Sequence, residues 1–253
     1  MDNFIILGSA RSGTSMLAEV FHRSGFYLGS DLMPGKPGNP HGYFECRNIE
    51  STNEDLLDQI VPARPQGRFA RIRQLLHKRT PNRPRRWLLA LDQIPSLNLT
   101  SDIENKIKET VRRQPFCLKD PRFCYTLPTW SSLLPPYKRI CVFRHPAATI
   151  SSIKKEIKQF GHDKEVSVSR KQLERLWESS YACVRAMEGD KIPTLWIHSL
   201  ELLEEVSRKR VEDFVGMELD WSCVDPKLNR SKDNDLKVSK RLVRQFEEFM
   251  QYE

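Results

Sequence analysis

Apolar positions along the chain come in short runs set between longer amphipathic stretches. Phe4-Ile5-Ile6-Leu7, Phe116-Cys117-Leu118, Arg139 to Phe143 and Pro193 to Ile197 are short and largely apolar, as strands covered on both faces are. Between them the period becomes helical. Residues 14–24 put Met16, Leu17, Val20 and Phe21 on one face, and similar patterns run over 48–60, 103–113, near 123–133, over 147–157 and from about Ser169 to Glu188. A further short strand is expected near Phe26 to Leu28, helices over 199–215, and a terminal amphipathic helix that sets Phe246 and Phe249 against Lys237, Lys240, Arg241 and Arg244. Strands alternating with helices predict an α/β fold of three layers, a central parallel sheet flanked by helices, with ligands at the carboxyl ends of the strands. The 253 residues suit one such domain over 1–253, interrupted by an insertion-like region at about 62–95.

The junction after the first strand carries the densest chemical signal. Gly8-Ser9-Ala10-Arg11-Ser12-Gly13-Thr14-Ser15 links a strand to a helix through small residues. Backbone N–H groups in such a loop converge on one point, and the first helical turn adds unpaired N–H groups and the positive end of the helix dipole. The spacing is G-x-x-x-x-G, as in a P-loop, but the usual Lys-Ser/Thr is replaced by Thr14-Ser15. Arg11 is the cation within the loop, and its planar fork suits a bidentate oxyanion.

This loop resembles the phosphosulfate-binding loop of sulfotransferases that use 3′-phosphoadenosine 5′-phosphosulfate (PAPS), which typically read P-R-S-G-T-[ST]; Ala10 stands at the proline. The resemblance extends to Arg144, at the end of the strand ending at Phe143, and to Ser152 eight residues later, positions that grip the donor's 3′-phosphate in that family. Lys119-Asp120-Pro121 resembles a K-D-P segment whose lysine lies near the oxygen that leaves sulfur. Asp120 also suits a helix N-cap. Asn39-Pro40-His41-Gly42-Tyr43-Phe44-Glu45 is similar to an N-P-x-G-[YHF]-F-E segment, and Asp225-Pro226-Lys227-Leu228-Asn229-Arg230 to a D-P-x-L-x-R segment that returns over the nucleotide.

The resemblance implies a P-loop-like fold of the sulfotransferase type and transfer of a sulfuryl group from PAPS to an acceptor hydroxyl, with 3′-phosphoadenosine 5′-phosphate (PAP) as the product and no metal expected. Ser9, Ala10, Arg11, Ser12, Gly13, Thr14 and Ser15 would hold the phosphosulfate, Arg144 and Ser152 the 3′-phosphate, and Arg230 a donor phosphate or the active site. Glu45 is the first choice for the base that takes the hydroxyl proton, His41 the second, and His198, at a strand end, a reserve. Lys119 and Arg11 would stabilise charge on the departing oxygen.

Charge and cysteine usage narrow the setting. A formal charge of +8, with pI about 9.2 and mean hydropathy −0.56, favours anionic partners. The six cysteines form no C-x-x-C pair and read as reduced, small apolar residues. No leader-like or membrane-spanning run is apparent, so a cytoplasmic setting is expected, with peripheral membrane contact left open.

Between Val61 and Leu91 there are nine basic side chains, Arg64, Arg68, Arg71, Arg73, Lys78, Arg79, Arg83, Arg85 and Arg86, and no acid. This run predicts a cap that draws an anionic acceptor or a membrane surface. Other readings remain: a P-loop kinase or nucleotidase that has lost its lysine, needing Mg²⁺ and an acid such as Asp92; a basic nucleic-acid-binding module; or an inactive PAPS binder. The acceptor and the oligomeric state are not legible. If the cap reading holds, charge reversal at Arg71, Lys78 and Arg79 raises the acceptor KM in steady-state kinetics and leaves PAPS affinity unchanged.

Overall fold

The computed structural model describes residues 1–35, 42–61, 83–159, 168–225 and 236–252. Four strands, β1 (Asn3–Leu7), β2 (Cys117–Lys119), β3 (Tyr137–Phe143) and β4 (Thr194–His198), form a wholly parallel sheet in the order β2-β1-β3-β4. Ile5 pairs with Leu118 on one side and Arg139 on the other, and Phe143 pairs with His198. Eight α-helices surround the sheet among the described residues: α1 (Thr14–Arg23), α2 (Arg47–Leu57), α3 (Ser101–Thr110), α4 (Phe123–Ser131), α5 (Pro146–Gln159), α6 (Arg170–Ala186), α7 (Glu205–Val215) and α8 (Lys240–Phe249).

The alternation of side chains along each strand divides the core into two layers. Ile5, Leu7, Leu118, Cys141 and Phe143 point toward Ile49 and Leu56 of α2, Ile107 of α3, Trp130 of α4, Trp177 and Tyr181 of α6, and Phe249 of α8. Phe4, Ile6, Cys117, Ile140, Val142 and Ile197 face the other way, onto Leu17, Val20 and Phe21 of α1 and Val211 of α7. Neither face of β1 meets water, which is why its sequence reads as an unbroken apolar run. All six cysteines are free, and five are buried. No helix among the described residues is long and apolar enough to cross a membrane.

The expected strand at Phe26 to Leu28 shrinks to a single bridge between Tyr27 and Phe116. Gly25 and Gly29, at φ 91° and 121°, turn the chain on either side of it. A Cβ on Gly29 would lie 2.4 Å from that of Cys46, so the chain can pass there only as glycine. Capping sets the starts of two helices, one of them two residues before and the other at the position expected from the sequence pattern. The Thr100 side chain accepts from the Ile103 N–H at 3.3 Å and begins α3 two residues early. Ser169 and Gln172 form a reciprocal capping box at α6.

Three of the nine arginine-run cations lie among the described residues, and the charge of two, Arg83 and Arg86, is relieved, contrary to the sequence expectation. A 3₁₀ turn over Arg83–Leu88 folds onto α2, where Arg83 pairs with Asp55 and Asp58, and Arg86 with Glu54 at 3.0 Å and Asp58 at 2.7 Å. These acids lie about 25 to 32 residues before the arginines they meet, beyond the range of local charge counting. The rest of the run, and with it the cap, falls outside the described residues.

Arg122, 1% exposed, joins α2 to the start of α4. Its guanidinium meets Glu54 at 2.5 Å, Glu50 at 3.1 Å and Asp120 at 3.1 Å. Removing one member of a buried ionic cluster strands the others. Arg122→Ala is therefore expected to cost about 3–5 kcal/mol of stability, measured by urea unfolding.

Candidate active site

The loop between β1 and α1 is pressed against β3. A Cβ on Gly8 would fall 2.4 Å from the Val142 carbonyl oxygen, and Gly8 adopts φ 147°. At the other end Gly13 takes φ 101° as the residue before α1, with Ser199 3.0 Å from where its Cβ would be. Arg11 between them is itself left-handed, at φ 65°. This conformation disfavours L side chains and persists because both flanks are held.

The carboxyl ends of β1, β2 and β3 open into a cavity of about 460 Å³. Ala10, Arg11, Gly13, Thr14 and Ser15 of the loop line it, together with Lys119, Arg144 and Glu45. Ser9 and Ser12 are buried beneath the loop and do not reach the wall with their side chains; the Ser9 hydroxyl has no partner among the described residues. Ser152 is reached through Arg11, whose Nε donates to Ser152 Oγ at 3.1 Å. One guanidinium NH of Arg144 donates to the Arg11 carbonyl at 3.2 Å. Burial, reinforced by the Arg11 charge, pulls the Arg144 pKa below the usual arginine value, though a guanidinium remains charged at any physiological pH.

On the opposite wall Lys119 Nζ lies 2.5 Å from Glu45 Oε1 and 3.3 Å from Ser15 Oγ. The Lys119 side chain is 3% exposed and that of Glu45 15%. A single ammonium thus touches both the proposed base and the start of α1. Asp120 does not enter the cavity; its Oδ1 accepts from the Arg122 N–H at 2.8 Å and its charge is spent on Arg122.

Two residues that sequence reasoning did not single out complete the wall. Glu156 pairs with Arg11 at 3.5 Å and accepts the Tyr43 hydroxyl at 2.6 Å. Burial first, and then the neighbouring Glu156, push the Tyr43 pKa upward, so the phenol stays protonated. Ser152 and Glu156 are four residues apart on α5 and share a face, a spacing that could have pointed to Glu156.

His41 and Arg230 lie outside the described residues. His198 is 8% exposed and sits at the end of β4, with ring centroids 5.4 Å from both Phe143 and Phe246. It does not line the cavity. Asp92 lies in an exposed bend rather than at a strand end and pairs with Arg175 at 2.6 Å.

Comparison with known proteins bears on what this cavity serves. The family model described as Sulfotransferase family matches residues 3–218. The chain belongs to the sulfotransferase family. Sulfotransferase STF9 from Mycobacterium avium superposes with a TM-score of 0.50 at 13% identity, over 98% of this chain and 76% of that one, which shows the shared P-loop-like fold. A sulfotransferase from Alicyclobacillus acidocaldarius gives a TM-score of 0.48 at 14% identity, over 98% of this chain and 91% of that one. The sulfotransferase domain from the curacin biosynthetic pathway gives 0.48 at 14%, over 95% and 81%. No curated protein matches.

The donor set fits the doubly phosphorylated nucleotide that sulfotransferases generally use. Arg11, Arg144 and Lys119 line one cavity with the N-terminus of α1, and Gly13 keeps the loop open where a side chain would crowd Ser199.

His198 also carries a pH signature. Burial, then the charges of Arg144 and His145, lower its pKa from 6.5 to about 4. The folded state therefore holds a neutral imidazole, and the stability this supplies is complete above pH 6.5 and lost as pH falls toward 4. The loss is on the order of 3 kcal/mol. Urea unfolding at pH 7 and pH 4.5 should show a smaller acid loss for His198→Gln than for the wild type.

Proposed function

We propose that this sulfotransferase moves the sulfuryl group of PAPS to an acceptor hydroxyl, within the EC 2.8.2 class. The observation that carries the reading is the convergence of Arg11, Arg144, Lys119 and Glu45 on one cavity at the carboxyl edge of a parallel sheet.

In this scheme the backbone N–H groups of residues 9–15 and the start of α1 hold the 5′-phosphosulfate. Arg144, with Ser152 beside it, holds the 3′-phosphate. Arg11 touches both of these residues, its Nε donating to Ser152 and its carbonyl accepting from Arg144. Glu45 accepts the hydroxyl proton as the acceptor oxygen bonds to sulfur. The bond between sulfur and the phosphate oxygen breaks in line with that attack, and the electron pair stays on the phosphate. Lys119, fixed by Ser15 and Glu45, stands where it can meet the negative charge that collects there. Holding both partners in line supplies much of the remaining acceleration. Met33, Arg47, Glu50, Trp87 and Pro121 line the same cavity and would be available to the acceptor.

The kinase alternative finds no support in the position of Asp92, which is exposed and spent on Arg175.

Isothermal titration with PAP, without metal, tests the reading. Binding is expected, ATP should bind more weakly, and Arg144→Ala should abolish the signal. No binding of PAP to the wild type, or a preference for Mg-ATP, would overturn it. Lys119→Met is expected to lower PAPS turnover by about 10²- to 10³-fold, measured as PAP release, and to weaken PAP as well, since PAP keeps the oxygen on which the charge collects.

A further inference from the structure

Glu156 is a carboxylate in the wall of a cavity otherwise suited to an anion. Its side chain is 9% exposed. A negative charge so placed opposes a phosphate or sulfuryl group through like-charge repulsion in a partly desolvated site. The geometry shows what the carboxylate does there. Oε1 accepts the Tyr43 hydroxyl at 2.6 Å, and Oε2 faces Arg11 at 3.5 Å. One side chain on α5 therefore bridges the loop after β1 and the segment that leads into α2.

That segment also carries Glu45, and its shape depends on tethers. Phe44, between Tyr43 and Glu45, adopts φ 51°, a left-handed conformation disfavoured for L residues that lasts only where neighbouring contacts enforce it. The Glu45 carbonyl accepts from the Met33 N–H at 2.8 Å, and three further contacts that involve side chains reach other elements. The Tyr43 carbonyl accepts from Ser15 Oγ at 3.1 Å, Glu45 meets Lys119 at 2.5 Å, and the Tyr43 hydroxyl is held by Glu156. The first two use atoms of the donor loop and of the reacting groups. The third is supplied from α5, a helix that also carries Ser152 one turn earlier.

We propose that Glu156 is a positioning residue: through Tyr43 it registers the base-bearing segment over the donor loop, and its charge weakens donor binding as it does so. The inference rests on the cavity being the PAPS site. The two functions of Glu156 reside in different properties of its side chain. Registration needs an oxygen that accepts the phenol proton, which an amide also offers. Opposition to the donor needs the charge, which an amide lacks. Tyr43→Phe and Glu156→Gln therefore separate them, and each changes too few atoms to endanger the fold.

The test combines hydrogen–deuterium exchange of a peptide spanning residues 42–47 with isothermal titration of PAP. Tyr43→Phe should exchange about tenfold faster in that peptide, the scale set by losing a hydrogen bond to a charged group, while its PAP affinity stays within about twofold. Glu156→Gln should exchange as the wild type does and bind PAP about fivefold more tightly. Unchanged exchange in Tyr43→Phe, or unchanged or weaker PAP binding in Glu156→Gln, overturns the inference while PAP binding by the wild type leaves the donor site standing. A wild type that does not bind PAP removes the donor site itself.

Discussion

The approach of Gly8 to the carbonyl of Val142 is the constraint on which the cavity depends. With no Cβ at Gly8, the loop can lie directly on the end of β3. That contact sets Arg11 within hydrogen-bonding distance of Arg144 and Ser152, both of which follow β3. Any side chain at position 8 would lift the loop and separate the cation on β1's loop from the cation on β3's. The parallel order β2-β1-β3-β4 does the rest. It brings Lys119 to one side of the loop and Arg144 to the other, at the same edge of the sheet.

Around that edge, opposite charges are interleaved. Arg11 faces Glu156, Lys119 faces Glu45, and Arg122 faces Glu50, Glu54 and Asp120. A cavity lined by cations alone would repel itself and destabilise the fold. Pairing Arg11, Lys119 and Arg122 with carboxylates removes that strain and fixes their side chains, so these donors are already aimed. Glu50 and Glu54 are held partly by burial, which raises their pKa values against the pull of Arg122.

Much of this was legible because the signals are local. A strand, a glycine-rich turn and an amphipathic helix occupy adjacent residues from Phe4 to Arg23, and Arg144 and Ser152 are separated by two helical turns. The three-layer division followed from periodicity, since continuous apolar runs can only be strands buried on both faces. What local patterns could not reveal was pairing across long separations. The partners of Arg122 lie some seventy residues away, and the acids that relieve Arg83 and Arg86 belong to α2. Apolar content suggested a strand at Phe26 to Leu28, but flanking glycines leave room for only one bridge. Glu156 was missed because the likeness to known motifs ends at Ser152, although the next turn of the same helix face holds it. The position of Glu45 could be guessed; its contact with Lys119 could not.

The anchoring of Arg86 onto α2 has a consequence for how such an enzyme changes over time. Arg86 donates to the carbonyl of Val61 at 3.3 Å and is bound to Glu54 and Asp58, so two points of the chain 25 residues apart are fastened together at the end of α2. A loop whose two ends are already fastened together can be lengthened, shortened or replaced at little entropic penalty, because closure has been settled by the anchors. Val61 and Arg86 therefore stay together whatever the length of chain between them. The loop after β1 has no such latitude, because the backbone contact at Gly8 fixes both its length and its path.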